Sequence, residues 1–114
     1  MTLDELNDFV QERDGIYRAM KDGSISDRER VLARTVKLME EVGELSDEIL
    51  GSLGHQRQSK LDARNPENLS EEFADVIITA FLVAKSLDVD MPAALEKKMA
   101  KIRERNGPNG EYPF

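Results

Sequence analysis

The chain contains no cysteine, which removes disulfides, thiolate metal ligands and a cysteine nucleophile together. Tryptophan is also absent, and aromatic residues make up only 5% of the sequence. With Met and Leu supplying much of the apolar content, that composition suits helices better than a sheet. The single histidine, His55, has no triad partner suggested by the sequence. No apolar run approaches the roughly 18 residues of a membrane span, and the N-terminus is acidic and amphipathic, unlike a targeting leader. Glycine-rich phosphate loops, zinc-finger spacings and serine nucleophile motifs are missing as well. Positive charge is scarce: the net charge is -7, which argues against a nucleic-acid polymer as partner, because that mode depends on neutralising phosphates with Lys and Arg. A small phosphorylated ligand remains compatible, since a metal can supply positive charge locally. These absences lead us to expect one soluble, cytoplasmic domain over residues 1–114, with no membrane partner.

What is present is helical periodicity punctuated by caps. Thr2 with Glu5 forms a capping box for a first helix from about Leu3 to Met20, read first as a packing helix and only secondarily as one whose Phe9 or Tyr17 lines a pocket and stacks on a ligand ring. Ser26 with Glu29 repeats the capping pattern, and a second helix runs from about Asp27 to Leu50, with Gly51 suited to end it. A polar loop from Gly51 to Asn65 carries His55, Arg57, Lys60 and Arg64, read as solvated charges or as a basic arm near an acidic site. A third helix starts at Asn65 and Pro66, or else at Ser70, and continues to about Leu87. Asp90 and Pro92 open a fourth that ends near Arg105, and GPNGEYPF should be an irregular tail. The expected fold class is all-α, a four-helix bundle-like domain.

The chemistry concentrates in two stretches. In KLMEEVGELSDEIL, Leu38, Val42, Leu45 and Ile49 share an apolar stripe at 100° per residue, and Glu41 and Glu44 lie at its edge. Glu40 and Asp47 lie nearer the opposite side. In the second stretch Glu72 and Asp75 project along the line of Val76, Thr79 and Val83, and the run VIITAFLVA beyond them is apolar on nearly every side. Such a helix is normally enclosed, so its acids sit at the mouth of a buried region. Like charges three residues apart cost a helix a few tenths of a kcal/mol unless a cation sits between them. Hard oxygen ligands from two facing helices suit Mg²⁺, Mn²⁺ or Ca²⁺. The enclosed helix also needs cover that three short neighbours do not supply, which predicts a homo-oligomer.

Glu40, Glu41 and Glu44, followed by Glu72 and Asp75, resemble the EExxE and ExxD pair of the MazG-like nucleotide pyrophosphohydrolases in the all-α NTP pyrophosphatase superfamily. The words KLMEEVGEL and EEFADVIITAFLVAKSLDVDMPAALEKKMAKIRERN match as well, so the likeness covers Leu32 to Asn106 well and the first helix loosely. It implies that Glu41, Glu44, Glu72 and Asp75 hold metal, Mg²⁺ with Mn²⁺ as the substitute, and that Glu40 or Glu41 orients or deprotonates a water. It implies that Lys101 and Arg105 contact substrate phosphates. It further implies hydrolysis of a nucleoside triphosphate to the monophosphate and pyrophosphate, in a homodimer or homotetramer. Three alternatives stand beside this: a non-catalytic acidic helical interaction module, a phosphoribosyl-ATP pyrophosphatase, and a dUTP- or dCTP-specific hydrolase.

Overall fold

The computed structural model of the protein describes residues 1–20 and 24–105. Within them the chain forms α1 (Leu3–Ala19), α2 (Asp27–Ser52), α3 (Gln58–Asp62), α4 (Asn68–Ser86) and α5 (Met91–Arg105), with no strand among the described residues. The all-α expectation holds, with four long helices and one short one. The tail expected over 107–114 lies outside the described residues.

Local chemistry fixes most helix starts. At α1 the Thr2 hydroxyl accepts from the Glu5 amide at 3.1 Å, and the Glu5 carboxylate accepts from the Thr2 amide at 3.3 Å, so both halves of the box are made. At α2 only the hydroxyl half appears, Ser26 Oγ accepting from the Glu29 amide. Asp90 accepts from the Ala93 amide and opens α5. The start of α4 differs from both sequence expectations: Asn65 Oδ1 accepts from the Glu67 amide, this turn consumes the polar residues, and the helix begins at Asn68. Glu71 then occupies the first turn, and Glu72 lies just past it.

The end of α2 also differs. Gly51 continues the helix, and Gly54, at φ +74°, makes the stop: its amide donates to Gly51 O and the His55 amide donates to Leu50 O. That pair of bonds around a left-handed residue is the Schellman arrangement. Gly51 is small for another reason. A Cβ there would come within 3.0 Å of Arg64 Cδ and Gln56 Oε1, because the returning chain lies directly on it. The polar loop expected over 51–65 is therefore interrupted by α3 and tied down: Gln56 and Lys60 both donate to Asp47 Oδ1 at 2.7 Å, and Arg64 lies 3.7 Å from Glu48.

These ties turn the chain back so that α4 runs alongside α2, the most extensive helix pairing in the molecule. The first helix packs against α4 and also touches α5. It is pinned to α2 by a buried ion pair, Arg34 to Asp14 at 2.7 Å, while Arg18 grips the same carboxylate at 3.0 Å. Burial pushes the Asp14 carboxyl up, but bonds from Arg34 and Arg18 outweigh it and hold it below the ordinary carboxylate range.

The apolar core is small. Among the described residues Val10, Phe81 and Ala84 are the buried apolar ones, while α2 buries Arg30, Arg34 and Glu41. Of the stripe expected to face a core, Val42 is 41% exposed. The enclosure expected for the apolar helix is also incomplete, with Phe73 and Ile77 about half exposed. The surface is 8452 Å², against about 6,300 Å² for a compact monomer of this mass. The radius of gyration is 17.4 Å, against about 13 Å for a compact chain of this length.

A Cβ at Gly54 would force an L-residue into the left-handed region with no steric obstacle besides the backbone itself. Gly54→Ala should lower unfolding free energy by about 1–2 kcal/mol in chemical denaturation without changing the denaturant slope. An unchanged midpoint would show that the α2 terminus relaxes.

Candidate metal centre

Where α2 passes the start of α4, the two sequence stretches meet. One carboxylate oxygen from each of Glu41, Glu72 and Asp75 lies within 4.8 Å of the other two. Glu41 is buried, Glu72 is half-buried and Asp75 is exposed, so the group sits at a rim. Glu44 adjoins it, close enough for a side-chain hydrogen bond with Glu72 and for its charge to act on Glu41. Glu40 points elsewhere: it is exposed, and its partner is Lys37 at 3.3 Å. Lys101 and Arg105 are exposed on α5 and line no part of the cavity beside the acids.

Electrostatics show that this arrangement is not self-sufficient. Loss of water contact, then the charges of Glu44 and Asp75, push the Glu41 carboxyl up, although Lys37 at 3.4 Å opposes the shift. Loss of water contact pushes Glu72 up too, with Glu44, Asp75 and Glu41 adding repulsion and no cation in opposition. Lys37 is correspondingly raised by its bond to Glu40 and then by Glu41. Each acid of the pair keeps one buried oxygen, Glu41 Oε2 and Glu72 Oε2, without a hydrogen-bond partner. Orphaned buried carboxylate oxygens are costly, and a cation is the partner that several carboxylates can share. Opposed oxygens around Mg²⁺ at about 2.1 Å are about 4.2 Å apart, so small side-chain rotations would bring this set onto one ion. The residues present fit a hard divalent metal.

A cavity of about 490 Å³ opens beside the acids, between α1 and the α2–α4 pair. Glu41 and Asp75 form one end of it. From α1 it is lined by Val10, Arg13, Tyr17 and Met20, spaced three, four and three residues apart along one helix face. Arg34 and Lys37 line it from α2, and Ile78, Thr79 and Leu82 from α4. Of the two aromatic residues expected to serve a ligand, Tyr17 reaches the cavity and Phe9 does not. Sequence reasoning did not single out Arg13, Arg34 or Lys37. The signal for Lys37 was its spacing, three residues before Glu40 and four before Glu41. The basic arm is committed to α2, through Lys60 to Asp47 and Arg64 to Glu48.

Against families of known proteins, the model for the MazG nucleotide pyrophosphohydrolase domain matches residues 30–108, well over half of the chain and all of the acid set. The chain belongs to the MazG nucleotide pyrophosphohydrolase family. This MazG domain is also similar to the uncharacterized protein YpjD of Bacillus subtilis (strain 168), at 29% identity over 101 residues, covering 89% of this chain and 86% of that protein. No solved structure matches it. The family match begins at Arg30 and so leaves the whole of α1, with its cavity face, outside. None of the helices among the described residues is long and apolar enough to cross a membrane.

The raised carboxyls carry a definite sign. In the metal-free protein they oppose folding; that cost is absent below the ordinary carboxylate range, grows as pH rises through it, and is complete above the raised folded values. Mg²⁺ should therefore raise the melting temperature by several degrees at neutral pH, and its affinity should fall as pH drops and protons compete. Glu72→Gln should melt higher than wild type in EDTA, because its amide donates to the neighbouring carboxylates, and should lose the response to Mg²⁺. A wild-type melting temperature indifferent to both Mg²⁺ and Mn²⁺ would defeat the metal assignment.

Proposed function

We propose that this protein hydrolyses a nucleoside triphosphate, ribo or deoxy, to the monophosphate and pyrophosphate, with Mg²⁺ held by Glu41, Glu72 and Asp75 and with Glu44 completing the set. The observation that carries this reading is the convergence of three carboxylates from two helices at the end of a ligand-sized cavity, two of them with a buried oxygen lacking any partner. The metal, when bound, supplies the positive charge that a triphosphate needs next to an acidic surface and makes a coordinated water more acidic. The chain's own groups do the rest. Water attacks the α-phosphorus, its oxygen forming the new bond as the bond to the α–β bridging oxygen breaks and pyrophosphate leaves with the electron pair. The proton goes to a carboxylate. Glu41 lies in the cavity wall and Glu40 does not, which makes Glu41 the nearer proton acceptor. Lys101 and Arg105, on the exposed face of α5, would meet the departing pyrophosphate.

The same reading includes assembly as a homodimer or homotetramer in the cytoplasm. On α2, Leu32, Val36 and Met39 are 54%, 63% and 69% exposed and fall on one face, and Phe73 and Ile77 do the same on α4. At 100° per residue both faces point away from the cavity, so a second copy could cover them without closing the site. The excess surface is of the order that a stable interface buries.

Pyrophosphate release from a panel of nucleoside triphosphates tests the activity. Glu44→Gln and Asp75→Asn should each lose more than about a hundredfold in kcat with helicity unchanged, and Arg105→Ala should lose less. Full turnover in both acid variants would remove the acids from the chemistry. Sedimentation tests the assembly: wild type should be dimeric or larger, and Val36→Glu should shift it toward monomer by burying an unpaired charge. A monomeric wild type at micromolar concentration would refute the interface.

A further inference from the structure

The cavity has a direction. Asp14 pairs with Arg34 and Arg18 lies 3.9 Å from Asp27, so α1 and α2 run in opposite directions. Passing along α1 from Val10 to Met20 therefore leads away from Glu41, which lies about 10 Å beyond Arg34 on α2. The acids close one end of the cavity, and Tyr17 and Met20 stand at the other. A nucleotide whose phosphates lie at the acids must send its base toward Arg13 and Tyr17.

Among the described residues three cations line that path, and two are already engaged. Arg34 is held by buried Asp14 at 2.7 Å, and Lys37 is held by Glu40 and Glu41 at 3.3 and 3.4 Å. Arg13 is different. Its ion-pair contact, at 3.7 Å, is with Glu12, an exposed side chain, and its guanidinium carbon stands 5.7 Å from the Phe9 ring centroid. Its Nε is buried and has no hydrogen-bond partner. Arg13 lines the ligand-sized cavity, so a small turn of its half-buried side chain can offer that unpartnered donor to a ligand.

We infer that Arg13 and Tyr17, one turn apart on the cavity face of α1, read the nucleobase: Tyr17 stacks on its face, and Arg13 donates to its edge. This rests on the triphosphate reading above and adds a base preference to it. Guanidinium offers donors only. It pairs with the oxygen that guanine and hypoxanthine carry at C6 and that uracil and thymine carry at C4, and it is mismatched with the amino donor that adenine and cytosine carry at those positions. The protein is therefore a hydrolase selective for keto bases, and Arg13 is its specificity-determining residue.

The test is kcat/KM for GTP, ITP and UTP against ATP and CTP. Wild type should prefer the keto group by roughly tenfold to a hundredfold. Arg13→Met should bring the two groups to within about threefold of one another. Arg13→Lys should discriminate almost as poorly, because it keeps the charge and loses the planar fork. Tyr17→Ala should weaken all five nucleotides by roughly tenfold and leave the ratio intact, since stacking is indifferent to base identity. A wild type without keto preference, or a preference that survives in Arg13→Met, would overturn the inference. If no nucleotide is hydrolysed, the hydrolase reading falls by itself. Calorimetric binding of GMP and AMP then decides this one: tighter GMP binding that is lost in Arg13→Met sustains it, and equal or absent binding ends it.

Discussion

The constraint on which the rest of the structure depends is the gathering of like charge where α2 meets α4. Four carboxylates are brought near one another at a contact that also carries the main helix pairing of the molecule. Two of them are pushed toward their neutral form by lost hydration and by each other. Left alone, such a contact would open. It is held by the burial of Phe81 and Ala84 further along α4, by the chain segment that folds back onto Gly51, and by Lys37, which puts one positive charge beside Glu40 and Glu41. One ammonium group beside so many acids leaves a deficit that a divalent ion would fill.

Asp14 shows why this deficit is informative. It too is a buried acid, yet its carboxyl is pulled down, because Arg34 and Arg18 were placed to satisfy it. The two buried acids among the described residues, Asp14 and Glu41, thus respond in opposite directions to a similar loss of water. One has its counter-charges supplied from α1 and α2 and fixes the position of α1; the other faces further acids and has an oxygen without a partner. A complete internal ion pair is a structural device, whereas an incomplete one is a receptor for something external. The cavity lies between the two, with Arg34 forming part of its wall.

Much of this was legible in the sequence, for reasons that separate local from distant physics. The caps at Thr2, Ser26 and Asp90 are contacts over three residues and could be read directly. The meeting of Glu41 with Glu72 and Asp75 was legible because both acid stretches sit beside apolar positions at helical spacing, so burial of one face carries the acids along. Gly51 was misread because its lack of a side chain serves Arg64, thirteen residues on, while the helix stop belongs to Gly54. The five residues of α3 are too few and too polar to show a period. Asp14 and Arg34, twenty residues apart, went unremarked in the sequence, because nothing local marks a buried ion pair. Arg13 and Tyr17 carried a faint signal, a common face with Val10 and Met20, but only the cavity gives that face a purpose.

The exposed apolar face and the acid cluster are two consequences of one geometry. On α2 and α4 the residues facing the cavity and the residues left bare are on opposite sides of the same helices. Any partner that covers Leu32, Val36, Met39, Phe73 and Ile77 presses on both helices from behind and so bears on their separation, which is also the separation of Glu41 from Glu72 and Asp75. A carboxylate set that resists closure through its own repulsion gains stiffness from such a clamp, because packed interfaces do not deform continuously. Metal at the front and a second copy at the back would then favour the same helix spacing. By linkage each would tighten the other, and the affinity of the metal site would depend on protein concentration.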